Sequence, residues 1–231
     1  MPELERYILN QLFQLDAHLL DAIGEFDFNT YTRLLTDFCN EDLSAFYFDI
    51  RKDSLYCDAA NDPRRRAYRT VLDTLFHALI RYAAPVLAFT AEEVWGSRYP
   101  EASSVHLLER QDSSNVWLDG DLASKFERLR ILREQVTEAI EPLRREKVVR
   151  SSLEAEVTVP ADGVPEGFSD AELAELFISG AVTRSDDAAI TVRKTGEAKC
   201  GRCWRLLPEV PEDGALCGRC EDVVAKLDAA L

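Results

Sequence analysis

CGRCWR (200–205) and CGRC (217–220) place two C-x-x-C pairs with thirteen residues between them. Two such pairs at this separation have the spacing of a four-thiolate zinc site, in which each pair forms a tight knuckle and all four sulfurs converge on one tetrahedral ion. Gly201 and Gly218 each follow the first cysteine of a pair, where a knuckle asks for a backbone with few steric limits. With Cys200, Cys203, Cys217 and Cys220 all ligating, no position is left for water or substrate. The expected Zn(2+) is therefore one structural ion, and the spacing argues against metal catalysis at this point. Two disulfides are the rival reading. They suit an oxidising compartment, and the opening MPELERYILNQ has no apolar signal segment. A redox-active pair would sit at a strand end in a thioredoxin-like unit, which nothing here resembles. Cys39 and Cys57 lie far from the quartet and read as free thiols in or near a helical core.

The knuckles carry more than sulfur. Trp204 and Arg205 follow the first pair directly, and Arg202 and Arg219 sit inside the two pairs. A flat aromatic face beside several guanidinium groups on a small rigid platform suits stacking on unpaired bases and contact with phosphate. The plainer alternative makes Trp204 a cover for the knuckle's apolar side. Upstream, Arg144, Arg145, Lys147 and Arg150 cluster at the end of a long helix, just before the small pair Ser151-Ser152. Such a cluster is a candidate basic patch for RNA, although cations at a helix C-terminus also suit the helix dipole.

Composition bounds these readings. The chain has 231 residues, 46% of them hydrophobic, and a formal net charge of −15. That size accommodates one large domain or two to three small ones. The acidic balance favours solubility and, taken alone, opposes nucleic-acid binding, but binding depends on local patches. The apolar stretches are broken by charges well before the length of a membrane span, so no membrane partner is expected.

The predicted organisation is mainly α. It comprises an antiparallel helical bundle, then a small α+β unit, then the C-terminal four-Cys zinc knuckle, with boundaries at 1–120, 121–195 and 196–231. Leu4, Ile8, Leu12, Leu15 and Leu19 mark the apolar face of a first helix, interrupted at Gly24. Asp27 or Asn29 is placed to cap a second helix carrying Tyr31, Leu35, Phe38, Leu43, Phe46, Tyr47 and Ile50. Asn61-Asp62-Pro63 signals the start of a third helix, and Pro85 a break after it. Thr90 is a candidate cap for a fourth helix, whose Glu92, Glu93 and Trp95 read as dipole and core residues. Residues 101–120, with Ser103, Ser104, Ser113 and Ser114, read as a linker. A long helix is expected over 121–147, with Pro142 lowering the expectation for its last turns. Leu153 to Val159 alternates apolar and polar as a half-buried strand does. A short helix capped by Asp170 and strands near 181–183 and 189–192 complete the α+β unit. Arg64, Arg65, Arg66 and Arg69 at the start of the third helix read as pairing with the chain's carboxylates, with RNA phosphate as the alternative, and Asp49, Lys52 and Asp53 read as structural.

Four stretches taken in order carry a family resemblance: FDFNTYTRLLTDFCNEDLSAFYFDIRKDSLYCD (26–58), ALIRYAAPVLAFTAEEVWG (78–96), EPLRREKVVRSSLEAEVTV (141–159), and KCGRCWRLLPEV (199–210) with its second CGRC. Together they resemble the C-terminal portion of the bacterial isoleucyl-tRNA synthetases, members of the class I aminoacyl-tRNA synthetases, over almost the whole chain. The first two stretches resemble the helical anticodon-binding domain common to several class I synthetases; KCGRCW with a later CGRC points to the isoleucyl group. The resemblance implies a region that recognises the anticodon arm of isoleucine tRNA while a catalytic body elsewhere uses ATP. It implies RNA contacts for Trp204, Arg202, Arg205 and Arg219, and for Arg144, Arg145, Lys147 and Arg150. No HIGH-like or KMSKS-like motif occurs in this chain. The expectation is therefore a C-terminal segment, cytoplasmic and monomeric, that binds no ATP and is inactive alone. The alternative is a zinc-ribbon module that binds protein or DNA on a helical scaffold.

Overall fold

A computed structural model describes residues 1–110 and 115–229. The chain forms two compact units, one of residues 1–49 and 61–123 and the other of residues 50–60 and 124–231.

The first unit is the helical bundle. Helix α1 (Glu3–Gly24) buries Leu4, Ile8, Leu12, Leu15 and Leu19, as its period predicts. Asp27 caps α2 (Phe28–Asp37) by accepting from the Thr30 amide at 3.0 Å. Beyond Asp37 the chain stays helical, but residues Phe38–Phe48 wind in wider π turns before α3 (Asp49–Cys57) resumes α geometry. Insertions of this kind are rare and concentrate near functional segments. Here they let Phe38, Leu43, Phe46 and Tyr47 all reach the core. Helix α4 (Pro63–Ala83) starts as expected: Pro63 needs no amide partner there, and Asp62 accepts from the Arg64 and Arg65 amides at 2.8 and 3.2 Å. Asp62→Ala is expected to cost about 1 kcal/mol, read in a urea melt of the helical unit.

Pro85 ends α4, but Thr90 is not a cap. Helix α5 (Ala88–Arg98) begins two residues earlier, behind Leu87, so Thr90 lies inside its first turn. Glu92 accepts from the Ser104 hydroxyl at 2.8 Å and the Val105 amide at 3.0 Å, and the Trp95 indole N–H donates to the Ser103 carbonyl at 2.9 Å. The AEEVW segment therefore fastens the stretch that reads as a linker, where short 3-10 turns form at Val105–Leu107 and Asn115–Trp117. Ser113 and Ser114 of that reading lie outside the described residues.

Helix α6 (Gly120–Arg145), in the second unit from Ser124 onward, buries Phe126, Leu129, Leu132, Val136 and Ile140 along one stripe and carries Pro142 without interruption. It ends at Arg145, two residues short of the predicted limit. Strand β1 (Ala155–Pro160) is central, with β2 (Ala181–Ser185) parallel on one side and β3 (Thr191–Lys194) antiparallel on the other. Ala155, Val157 and Val159 face inward, and α7 (Asp170–Phe177) contributes Leu173, Ala174, Leu176 and Phe177 to the core. The cap of α7 is Ser169 rather than Asp170: its hydroxyl accepts from the Glu172 amide and the Glu172 carboxylate accepts from the Ser169 amide, a capping box. The chain then forms the two-residue pair β4 (Ala198–Lys199) and β5 (Leu206–Leu207) and ends in α8 (Gly218–Asp228). Among the described residues no helix is long and apolar enough to cross a membrane.

Candidate metal centre and nucleic-acid interface

Cys200 and Cys203 flank the turn between β4 and β5, while Cys217 is the residue before α8 and Cys220 lies in its first turn. All four are buried, and their sulfurs lie within 4.8 Å of one another. The Sγ atoms of Cys203 and Cys217 are 3.8 Å apart. Zn–S bonds of about 2.3 Å in a tetrahedron put sulfurs about 3.8 Å apart, whereas a disulfide needs about 2.05 Å. All six cysteines are free. The quartet thus has the donor set and convergence of a closed four-thiolate metal site, and the disulfide reading falls away. Gly201 is required: a Cβ there would collide with the carbonyl of Gly214. Gly218 is not, since open space surrounds its Cβ position.

Electrostatics agree with cation binding. Burial raises the thiols of Cys203, Cys217 and Cys220. At Cys200 burial also opposes ionisation, but the amides of Cys203, Arg202 and Cys217 outweigh it and lower the thiol to about 6. Four packed thiols of this kind need a cation before all can ionise. Cys57, remote from the quartet in sequence, packs in the same buried cluster. Burial and the nearby charge of Asp53 push its thiol up to about 12, so it stays protonated.

Beside the metal centre a cleft of about 470 Å³ is bounded by three separate stretches of the second unit, around residues 147–154, 194–199 and 204–213. Lys147, Arg150, Lys194 and Lys199 bring four cations to it, and Trp204 brings an aromatic face. Trp204 is 63% exposed, so it does not cover the knuckle's apolar side. The ammonium of Lys199 lies 5.5 Å from the centre of its ring. Two of the acids present hold backbone: Glu154 accepts from the Arg150 amide at 3.1 Å, while also lying 3.8 Å from the Lys194 ammonium, and Asp213 accepts from the Lys199 amide at 2.7 Å. Lys147 (φ 59°) and Trp204 (φ 65°) both adopt the left-handed conformation that costs a residue with a Cβ about 1–2 kcal/mol. Glycine would relieve both. Their coincidence at one cleft is the pattern expected where side chains are kept for function.

The other residues expected to meet RNA are arranged differently. Arg144 and Arg145 sit on the exposed end of α6, 3.8 and 3.6 Å from Glu141. Arg205 is half-buried, and its carbonyl accepts from the Cys200 amide at 2.9 Å. Arg202 and Arg219 turn inward. Arg202 donates to the carbonyls of Cys57 (2.6 Å) and Tyr56 (3.2 Å), and Arg219 forks onto Asp53 (2.7 and 2.9 Å) and reaches Asp58 (2.9 Å). Their guanidinium groups are committed to α3 and the residue after it. Lys194 and Lys199 went unnoticed in the sequence, because only the folded sheet brings them beside Trp204.

Comparison with known proteins fits this geometry. Residues 5–159 match the family model described as the anticodon-binding domain of tRNA ligase. The chain is 55% identical over 234 residues to an isoleucine–tRNA ligase of Zymomonas mobilis, matching 98% of this chain and 25% of that protein. It is 45% identical to that of Gluconobacter oxydans (97% of this chain, 24% of that protein) and 41% identical to that of Agrobacterium fabrum (92% and 24%). The chain spans about a quarter of the length of the curated relatives it matches. With more than half of its residues inside the family model, the chain belongs to the anticodon-binding domain family of tRNA ligases.

Proposed function

We propose that this chain is the tRNA-gripping C-terminal quarter of an isoleucine–tRNA ligase. It holds the anticodon arm of isoleucine tRNA so that the distant acceptor end meets a catalytic body elsewhere in the parent protein. The observation that carries this reading is the cleft in which the exposed ring of Trp204 stands among Lys147, Arg150, Lys194 and Lys199. Unpaired anticodon bases can splay out and stack on an aromatic face, which bases in an A-form stem cannot do. Lys147 and Arg150 then meet phosphate, Arg205 flanks the stacked base, and Arg144 and Arg145 meet the backbone of the stem. The quartet Cys200, Cys203, Cys217 and Cys220 holds one structural Zn(2+) that stiffens the platform under Trp204. Four soft thiolates in a tetrahedron favour zinc. The parent is a cytoplasmic monomer; its ATP chemistry lies outside this chain, which is inactive by itself.

Filter binding tests the reading. The chain is expected to retain isoleucine tRNA more tightly than an anticodon-mutated copy. Four cations at about 0.7 each should give a slope of about −3 in log affinity against log salt. The chain should show no isoleucine-dependent ATP–pyrophosphate exchange. Equal or absent binding of the two transcripts overturns the proposal in favour of a protein-binding ribbon, and detectable exchange overturns the assignment of catalysis to the remainder of the parent.

A further inference from the structure

Both knuckle arginines reach out of their own C-x-x-C pair. Arg202 lies in the first C-x-x-C pair, yet its Nη1 sits 3.6 Å from Sγ of Cys220 in the second. Arg219 lies in the second pair, beside Cys220. Each guanidinium continues to α3. Arg202 takes the carbonyls of Tyr56 and Cys57, among the last of that helix and without partners in a further turn. It is a C-terminal cap supplied from about 145 residues away in the chain. Arg219 grips Asp53 bidentately and also takes Asp58, whose other oxygen accepts from the Ser54 hydroxyl at 2.5 Å. Ser54 and Asp58 are both buried, so this is not a solvated surface pair. Charges alternate across the assembly: a divalent ion with four thiolates carries two net negative charges, two guanidiniums face it, and two aspartates face the guanidiniums.

We propose that Arg202, which reaches the sulfur of Cys220, and Arg219, the residue before that cysteine, form an outer shell of the metal centre and latch it to α3, so that metal occupancy and order in residues 53–58 are one equilibrium. The inference rests on the zinc reading of the quartet and is independent of the RNA reading. Both arginines are positioning residues. By fixing Arg202 against α3 they also fix Trp204, two residues on, at the cleft. Hydrogen bonds to thiolate sulfur stabilise the ionised ligand, and partners of this kind typically hold 10- to 100-fold of metal affinity. Removing the α3 end of the latch should act on the metal without touching any cysteine.

The test uses the whole chain with metal analysis, a competing chelator and hydrogen exchange. Zinc removal is expected to accelerate exchange of the amides in residues 53–58 at least 10-fold. Asp53→Asn, isosteric and remote from sulfur, is expected to weaken zinc about 10-fold, as is Arg202→Gln. Unchanged far-UV circular dichroism establishes that either variant is folded, and wild-type exchange needs no variant. Unchanged exchange in residues 53–58 on zinc removal, or wild-type zinc affinity in Asp53→Asn, overturns the latch while leaving the zinc reading intact. Absence of stoichiometric metal from protein prepared under reducing conditions overturns both.

Discussion

Cys217→Ser is expected to abolish stoichiometric zinc and to unfold the chain from about residue 198 onward, while the helical unit keeps its melting transition. The reason lies in how little else holds the module. Among the described residues, the buried cluster around the quartet contains Cys57 and Val210 besides the ligands, with Ala198, Leu207, Ala215 and Leu216 packed partly against it. A core of that size cannot offset the entropy of ordering about thirty residues at roughly 1–2 kcal/mol each. Structural zinc in small modules contributes about 10–16 kcal/mol of apparent binding free energy at neutral pH, and that term is folding energy. Chelation should reproduce the substitution reversibly in wild type and have no further effect in the variant. The measurements are elemental analysis and hydrogen exchange by segment. Full protection of residues 198–228 without metal would show that the cysteines act as ordinary apolar packing.

How far such features can be read from sequence depends on whether their cause is local. The metal site is legible because ligand spacing within each knuckle is a local property. Asp27 and Asp62 are legible as caps for the same reason. The α7 cap is displaced by one residue because Ser169 and Asp170 both have capping side chains, and the reciprocal bond from Glu172 decides between them. The π turns over Phe38–Phe48 have no local signal: they let residues off the α period reach the core, a demand set by tertiary packing. Residues 50–60 are the larger omission. By sequence they close a helix of the bundle, but in the structure they join the other unit, through Arg51 to Glu175 at 2.6 Å and through the two knuckle arginines. Arginine inside a C-x-x-C pair can point toward solvent or inward equally well. Only the acid and carbonyl partners, far away in the chain, settle its direction. The cleft was half legible, since Lys147, Arg150 and Trp204 lie in basic or aromatic clusters, whereas Lys194 and Lys199 enter it by strand pairing.

Trp204→Gly is expected to separate stability from recognition with opposite signs. At φ 65° the tryptophan occupies a conformation that glycine adopts freely, so the substitution relieves about 1–2 kcal/mol of backbone cost. Against this stand the greater chain entropy of glycine in the unfolded state, about 0.4–1 kcal/mol, and the lost contact with Lys199, about 0.5–1 kcal/mol at an exposed site. The ring is largely solvated, so little packing is lost. Stability of the zinc-loaded module should therefore change by less than about 1 kcal/mol, in either direction. If an unpaired base stacks on the ring, affinity for isoleucine tRNA should fall by about 1–3 kcal/mol, roughly 5- to 150-fold. Trp204→Phe should recover part of that affinity without recovering the glycine variant's backbone relief. The paired readouts are a denaturant melt followed by zinc content, and filter binding at fixed salt. A melt shifted down by more than 2 kcal/mol with binding unchanged would make the indole a structural residue, and the strain at this position would then need another cause.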